Sequence, residues 1–297
     1  MFSLYVKRFS ISDIEGLIGI KAHTIRAWEA RYNLVPPKRT PTNIRYYEEE
    51  DLKHLLNIVT LNEKGYKISR IARMSKTQIN DLVIQLQSDF KNDTVQVLRL
   101  SDATLKYDEI AFAEILSGCI EEMGLIKTMD LVLFPFMKKV GMLWQTGAID
   151  PSQEHFASNL IRDRMIVEID RVPKPDRKDP KRFLLFLPEA EMHETGLLFA
   201  RYLLKRCGMD TLYLGQEIPY SDLKKVILHY QPDYAFIVLT SLNLGKDINK
   251  ILTKVLDHMD VPLLVAGSLI SEFDILLDDR LTPLKKVCEI VEFLDDL

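Results

Sequence analysis

Apolar positions along the chain change their spacing twice. From Phe9 to about Ile71 they come in short groups at helical spacing, each cut off by a breaker. Ile11, Ile14, Leu17 and Ile18 outline an amphipathic helix with Ser10 or Ser12 as its N-cap, and Gly19 ends it. A second short helix runs from Ile25 to Tyr32, ends at Asn33 and is closed off by Pro36-Pro37. Two short helices joined by a Gly-containing turn make a helix-turn-helix, with the second helix free to enter a major groove. Lys38 to Tyr47 then reads as a wing, a hairpin-like loop flanked by cations and aromatics. Glu48 to Leu61 resumes a helix with acidic side chains in its first turn, where the macrodipole favours them, and Gly65-Tyr66-Lys67-Ile68-Ser69 turns into another.

Helical spacing continues after residue 76. Two short amphipathic helices flank Lys91-Asn92-Asp93, and Asp108 to Met123, Gly124 to Leu143 and Pro151 to Arg171 give three more. Ile110, Ala113, Leu116 and Ile120 recur at helical spacing, as do Leu125, Met129, Val132, Phe136, Val140 and Leu143, which predicts a four-helix bundle. Arg171 to Pro180 is polar and holds three prolines, as a linker does. Beyond it short apolar runs alternate with helical ones. Strands are predicted at 183–187, 211–214, 234–240 and 263–266, and helices from about Gly196, Tyr220, Asn243 and Pro283. That alternation predicts a parallel, doubly wound sheet. The expected division is 1–75, 76–171, a linker at 172–181, and 182–297, a multidomain α and α/β protein.

Composition narrows the classes. With 297 residues, 47% hydrophobic and 28% charged, the chain has ordinary globular composition and room for two or three domains. It has no 18-residue apolar run, and Asp13 and Glu15 interrupt what apolar sequence follows Lys7 and Arg8, so neither a membrane span nor a signal peptide is expected and the location is expected to be cytoplasmic. Cys119, Cys207 and Cys288 are far apart without a Cys-x-x-Cys pair, which argues against a disulfide framework or a zinc site; they are expected to be buried small hydrophobes. The net charge of −4 hides an asymmetry: residues 1–75 carry 13 Lys and Arg against 8 Asp and Glu, and the rest 26 against 35. A polyanion would be held by the N-terminal part.

Candidate chemistry centres on Glu191-Met192-His193-Glu194-Thr195-Gly196, which follows the run Arg182 to Pro188 and precedes a helix. His193 therefore lies at the C-terminal edge of a strand, where open α/β sheets bind ligands. A neutral imidazole is a good metal ligand, and a carboxylate accepting its other N–H fixes the tautomer; Gly196 would let something bulky approach the backbone. Glu-x-His-x-x-Gly in this setting resembles the corrinoid-binding motif of flavodoxin-like B12 modules. The resemblance implies that His193 replaces the cofactor's own nucleotide base on cobalt. It also implies that Thr240, Ser241 and Gly267 accommodate the nucleotide tail, where those modules have Ser-x-Leu and Gly-Gly and this chain has Thr240-Ser241-Leu242 and Ala266-Gly267. The methyl of Ala266 narrows a place where glycine admits the tail, and affinity is expected to fall.

In the bundle, Trp144 closes one helix, Gly147 marks the turn, and Glu154-His155 lies in the first turn of the next. An aromatic plate beside a carboxylate and an imidazole suits a flat, partly polar ligand such as an adenosine. Trp-x9-Glu-His ahead of Glu-x-His-x-x-Gly resembles the helical domain of adenosylcobalamin photoreceptor repressors of carotenoid genes. There the tryptophan and the Glu-His pair surround the 5′-deoxyadenosyl group. Those proteins place a histidine next to the tryptophan that can bind cobalt after light; here the neighbour is Gln145, and an amide is a poor substitute.

At the N-terminus, Thr24-Ile25-Arg26-x-Trp28-Glu29-x-Arg31-Tyr32, Arg39-Thr40, Arg45-x-Tyr47 and Gly65-Tyr66-x-Ile68 resemble, in order, the winged helix-turn-helix of MerR-family transcription regulators. The resemblance implies DNA contacts through Thr24, Arg26, Arg39, Arg45 and Tyr47. Asn43 stands at the wing's tip where glycine is frequent, and asparagine tolerates a left-handed turn. Together the resemblances imply a non-enzymatic, DNA-binding, light-responsive repressor that binds adenosylcobalamin or another cobalamin. Cobalt is expected between His193 below and the bundle above. Its partners are operator DNA and further copies of itself in a dimer or tetramer, with no membrane. Two alternatives are a regulator of the same architecture that senses another ligand or a protein, and a corrinoid carrier of a methyltransferase, against which the winged helix argues.

Overall fold

The computed structural model describes residues 8–18, 20–40, 42–87, 95–145, 149–173, 177–189, 191–240, 248–275 and 278–297. The chain forms two compact units, Met1–Ala157 and Ser158–Leu297, with the boundary inside one long helix.

In the first unit, helices α1 (Ile11–Ile18) and α2 (Ala22–Tyr32) precede a two-stranded antiparallel ribbon of β1 (Lys38–Arg39) and β2 (Arg45–Tyr46). Ser10, not Ser12, caps α1. Its hydroxyl accepts the Asp13 N–H at 3.2 Å while Asp13 Oδ2 accepts the Ser10 N–H at 2.7 Å, a reciprocal box. Asn33 ends α2 in the left-handed region at φ 51°. Asn43 takes φ 64° at the tip of the wing, the conformation glycine would supply. Helices α3 (Glu49–Glu63), α4 (Ile68–Ile71) and α5 (Lys76–Gln87) complete this part, with Ile14, Ile25, Tyr47, Leu55, Ile58 and Ile71 in one core.

The bundle follows as α6 (Val95–Leu105), α7 (Glu109–Thr128), a π-helical turn (Met129–Leu133), α8 (Phe134–Gln145) and α9 (Pro151–Arg171). Gly124, at φ 79° and ψ 161°, breaks α7 where the sequence changes helix. The buried stripe of α7 is Phe112, Ile115, Leu116 and Cys119. The expected stripe starting at Ile110 and Ala113 sits one step round the helix: Ile110 is 74% exposed, because Phe112 takes the core position edge-on to Phe136 at 5.6 Å and Phe156 at 6.4 Å. The second stripe holds, with Leu125, Met129, Val132, Phe136 and Val140 buried.

The second unit is a five-stranded, all-parallel sheet built from β3 (Arg182–Pro188), β4 (Asp210–Ile218), β5 (Tyr234–Val238), β6 (Leu263–Ala266) and β7 (Leu281–Leu284). The order β4-β3-β5-β6-β7 is the flavodoxin-like 2-1-3-4-5 arrangement. The helices are α10 (Thr195–Arg206), α11 (Tyr220–Tyr230), α12 (Ile248–Leu256), α13 (Ser268–Glu272) and α14 (Val287–Asp295). Residues Phe183 to Pro188 of β3 are all buried, the continuous apolar run of a strand covered on both faces. One expectation fails: Pro283 does not open a helix but sits in β7 opposite Val265. As the last strand of the sheet, β7 tolerates a residue without an N–H. Among the cysteines only Cys119 is buried; Cys207 is half-buried and Cys288 exposed, and all three are free thiols.

Candidate functional site

The sheet order reverses direction between β3 and β5, so the loops leaving their C-terminal ends face one crevice. The first of these loops carries Glu191 and His193. Glu191 is fully buried at 0% exposure, and both of its oxygens are used. Oε1 accepts the His193 backbone N–H at 2.9 Å and meets His193 Nδ1 at 2.7 Å, and Oε2 accepts the Thr240 N–H at 2.9 Å. One carboxylate thereby fixes the imidazole, its backbone and the start of the loop after β5. With Nδ1–H donating to Glu191 Oε1, the lone pair lies on Nε2, on a side chain 60% exposed. Among the described residues no group of three or more His, Cys, Asp or Glu side chains could hold a metal ion, so an ion held by that imidazole would bring its other ligands with it.

Thr240 Oγ1 is buried with no hydrogen-bond partner among the described residues, an orphaned hydroxyl beside this loop that a polar group of a ligand would satisfy. Ser241 lies outside the described residues. The two glycines have reasons of their own. A Cβ at Gly196 would stand 2.7 Å from Val238 Cγ1, so glycine there is what lets α10 pack on β5. A Cβ at Gly267, where φ is 115°, would stand 2.2 Å from the Leu239 carbonyl oxygen, so the chain after β5 crosses directly over that glycine. Ala266 is a buried residue of β6 paired with Val238.

A second layer of support was not foreseen from the sequence. Glu194 Oε2 accepts Arg162 Nε from α9 at 2.8 Å, and Glu194 Oε1 accepts the Tyr213 hydroxyl from β4 at 2.7 Å. Arg201 lies over the Tyr213 ring at 4.9 Å. Burial and the Glu194 carboxylate push the Tyr213 phenol far up, so it stays a donor to Glu194. Arg162 is 32 residues from Glu194, and nothing local in the sequence signals the pair.

In the first unit, Trp144 is half-buried at the end of α8 with the Lys53 ammonium 5.9 Å from its ring centroid. Glu154 and His155 lie in the first turn of α9, where Glu154 Oε2 and His155 Nδ1 are 2.9 Å apart and His155 is 74% exposed. Gly147, in the intervening turn, lies outside the described residues.

Residues 9–78 match the family model described as "MerR HTH family regulatory protein", and residues 97–167 match the one described as "B12 binding domain". The chain joins a MerR-type domain to a B12-binding domain. It is 28% identical over 270 residues to the HTH-type transcriptional repressor CarH of Myxococcus xanthus, covering 88% of this chain and 89% of that protein. It is 27% identical over 230 residues to the HTH-type transcriptional repressor CarA of the same organism, covering 75% and 73%. Among solved structures, the monomethylamine corrinoid protein of Methanosarcina barkeri is 16% identical with a TM-score of 0.49, covering 67% of this chain and 96% of that one.

In the MerR-type domain, Arg26 projects from α2 into solvent and Thr24 lies half-buried in its first turn. Arg39 is exposed on the wing, with Nη1 2.8 Å from Asn43 Oδ1. Arg45 is half-buried with Nε 3.8 Å from Glu29 Oε2, so α2 aims it. Tyr47 is a correction. At 0% exposure it belongs to the core, its hydroxyl donates to Glu29, and it cannot touch DNA from there. It instead fixes Glu29, whose Oε2 lies 3.8 Å from Arg45 Nε. The structure adds a cationic groove of about 630 Å³ at the turns between α3 and α5, lined by Lys64, Lys67, Arg70 and Arg73 beside Tyr66. These cations are spread over ten residues without a run, which hid the groove in the sequence.

Proposed function

We propose that this chain is a DNA-binding transcription regulator whose hold on its operator is set by bound cobalamin, with adenosylcobalamin as its dark form, light as its signal and repression as its output. The observation that carries it is the Glu191-held imidazole of His193 at the switch point of a sheet that follows a MerR-type domain. Bound cobalamin would supply a cobalt able to take an imidazole nitrogen as ligand and, in the adenosyl form, a light-sensitive Co–C bond. His193 offers Nε2 to the cobalt, and Glu191 keeps the Nδ1 proton and so the tautomer. Thr240, with its orphaned hydroxyl, and Ser241 would hydrogen-bond the nucleotide tail, and Gly267 would serve it indirectly, by letting the chain after β5 cross close over β6; Gly196 sets the helix behind the loop. Trp144, Glu154 and His155 would contact the adenosyl group.

The role is not enzymatic. The two repressors to which the chain is similar over most of its length support a regulatory output. Thr24, Arg26, Arg39 and Arg45 contact DNA, and the cations of the Arg70 groove add contacts to phosphate. Joining copies into a dimer or tetramer raises affinity by effective concentration, so a signal that changes oligomeric state changes DNA occupancy. Among the described residues no helix is long and apolar enough to cross a membrane, and the proposed place of action is the cytoplasm.

The test is a binding titration on DNA fragments enriched from genomic DNA by the adenosylcobalamin-loaded protein, in the dark and after green light, with oligomer size followed in parallel. The dark complex should bind at least about tenfold more tightly than the illuminated one, a difference near 1.4 kcal/mol. Equal affinity with and without cobalamin would refute control by the cofactor. Loss of the light effect alone would remove only the photoreceptor part.

A further inference from the structure

The last turn of α8 is fastened to α3 of the MerR-type domain by polar groups. Gln145 Nε2 donates to Thr60 Oγ1 at 2.8 Å, and the Thr60 hydroxyl in turn donates to the Leu56 carbonyl at 2.9 Å. Asn57, 1% exposed, donates through Nδ2 to the Gln145 carbonyl at 3.2 Å and to Asn80 Oδ1 of α5 at 2.8 Å. Lys53, also buried, adds the ammonium that faces the Trp144 ring. Residues 53, 57 and 60 are spaced i, i+4 and i+7, so one face of α3 receives Trp144 and Gln145 together.

This joint is of an unusual kind. Two elements that never separate are normally sealed with apolar side chains, which need no partners. Here a buried amide sits at the centre, and Asn57 Oδ1 is buried without a hydrogen-bond partner among the described residues. A buried network left one bond short is held less firmly than a complete one, which is the property of a joint that opens. What lies on the far side of α3 gives the opening a consequence. Leu55 and Ile58 share one core with Ile14 of α1, Ile25 of α2 and Tyr47, and Tyr47 holds Glu29, the partner of Arg45. A shift of α3 is therefore transmitted to α2 and to the base of the wing.

We propose that the Gln145 joint is the coupling element between the end of α8 and the DNA-binding helices, with Gln145 as its positioning residue. Whatever draws Trp144 away from Lys53 loosens Asn57 and Thr60 on the same helix face and changes the pose of α2. The identity of the signal rests on the reading that Trp144 serves bound cobalamin; the joint itself does not.

The experiment uses the full chain with Gln145→Ala, Thr60→Val, the double variant and Thr60→Ser. It reads amide hydrogen exchange along α3 without cofactor, cobalamin uptake by absorption, and the ratio of DNA affinities with and without adenosylcobalamin in the dark. Gln145→Ala and Thr60→Val should each speed exchange in α3 and move the affinity ratio towards one by about three- to tenfold, the weight of one buried hydrogen bond. The double variant should match the singles because both cut the same link, and Thr60→Ser, which keeps the hydroxyl, should behave as wild type. Unchanged α3 exchange in Gln145→Ala would overturn the proposal, as would effects of the two singles that simply add. If wild type takes up no cobalamin, the cofactor reading fails by itself, and α3 exchange in the variants still decides the joint.

Discussion

At the scale of single residues, exposure separates the proposed DNA contacts from the residues that support them. Arg26 and Arg39 are exposed, whereas Tyr47 is sealed in the core. Arg39→Ala should weaken binding almost uniformly across sequences and lower the slope of log affinity against log salt by about 0.9, as for one lost phosphate contact. Arg26→Ala should instead relax base preference, measured by competition between operator variants. His54 gives a prediction of another kind. Burial, and secondarily the Lys76 ammonium, push its imidazole down from 6.5 to about 4. The unfolded chain then binds a proton that the fold refuses, so this contribution to stability is intact above about pH 6.5 and is lost progressively towards pH 4. Urea midpoints at pH 7 and pH 4.5 should fall less for His54→Gln than for wild type, and an equal fall in both would show that His54 does not titrate this way. The Glu191–His193 contact was legible in the sequence because it spans two residues at a strand end. The Thr240 N–H that completes Glu191 is 49 residues away and was not, and nothing in a two-residue strand told which face of the wing Tyr47 occupies.

At the scale of elements, glycines decide how closely the α/β layers approach. Gly196→Ala would push α10 off β5 against Val238 Cγ1 and should cost about 1–3 kcal/mol in denaturant unfolding, the usual price of overpacking. Adding Val238→Ala removes the atom in the way and should recover most of that loss; a double variant no more stable than Gly196→Ala would contradict the packing account. Most elements were readable from periodicity, since β3, β5 and β6 are apolar runs between turn formers and the helices keep a 3.6-residue repeat. The failures share a cause in tertiary context. Pro283 looked like a helix start, yet an edge strand without a partner on one side has no use for its missing N–H. Ile110 looked like the first core position of α7, yet the ring of Phe112 fills that space from the next face.

For the whole molecule, charge and architecture point the same way. Residues 1–75 carry 13 cationic against 8 anionic side chains and the remainder 26 against 35, so a polyanion is drawn to the MerR-type domain and repelled by the rest. Thr24 to Ile68, which carry the N-terminal resemblance, lie inside the segment 9–78 matched by the MerR model, and Trp144, Glu154 and His155 lie inside the segment 97–167 matched by the B12-binding model. The joint between α8 and α3 was not visible, because Gln145 meets Thr60 across 85 residues and its chemistry, amide to hydroxyl, is too common to mark a site. The central claim is that cobalamin is held through His193. Its most direct test is gel filtration in the dark after incubation with adenosylcobalamin, comparing the absorption spectrum of wild type with that of His193→Ala. Wild type should elute as a coloured complex with an imidazole-ligated spectrum, and His193→Ala should elute with the ligation bands shifted and at least about tenfold less cofactor retained. Colourless wild-type protein, or a variant that matches wild type in both uptake and spectrum, would contradict it.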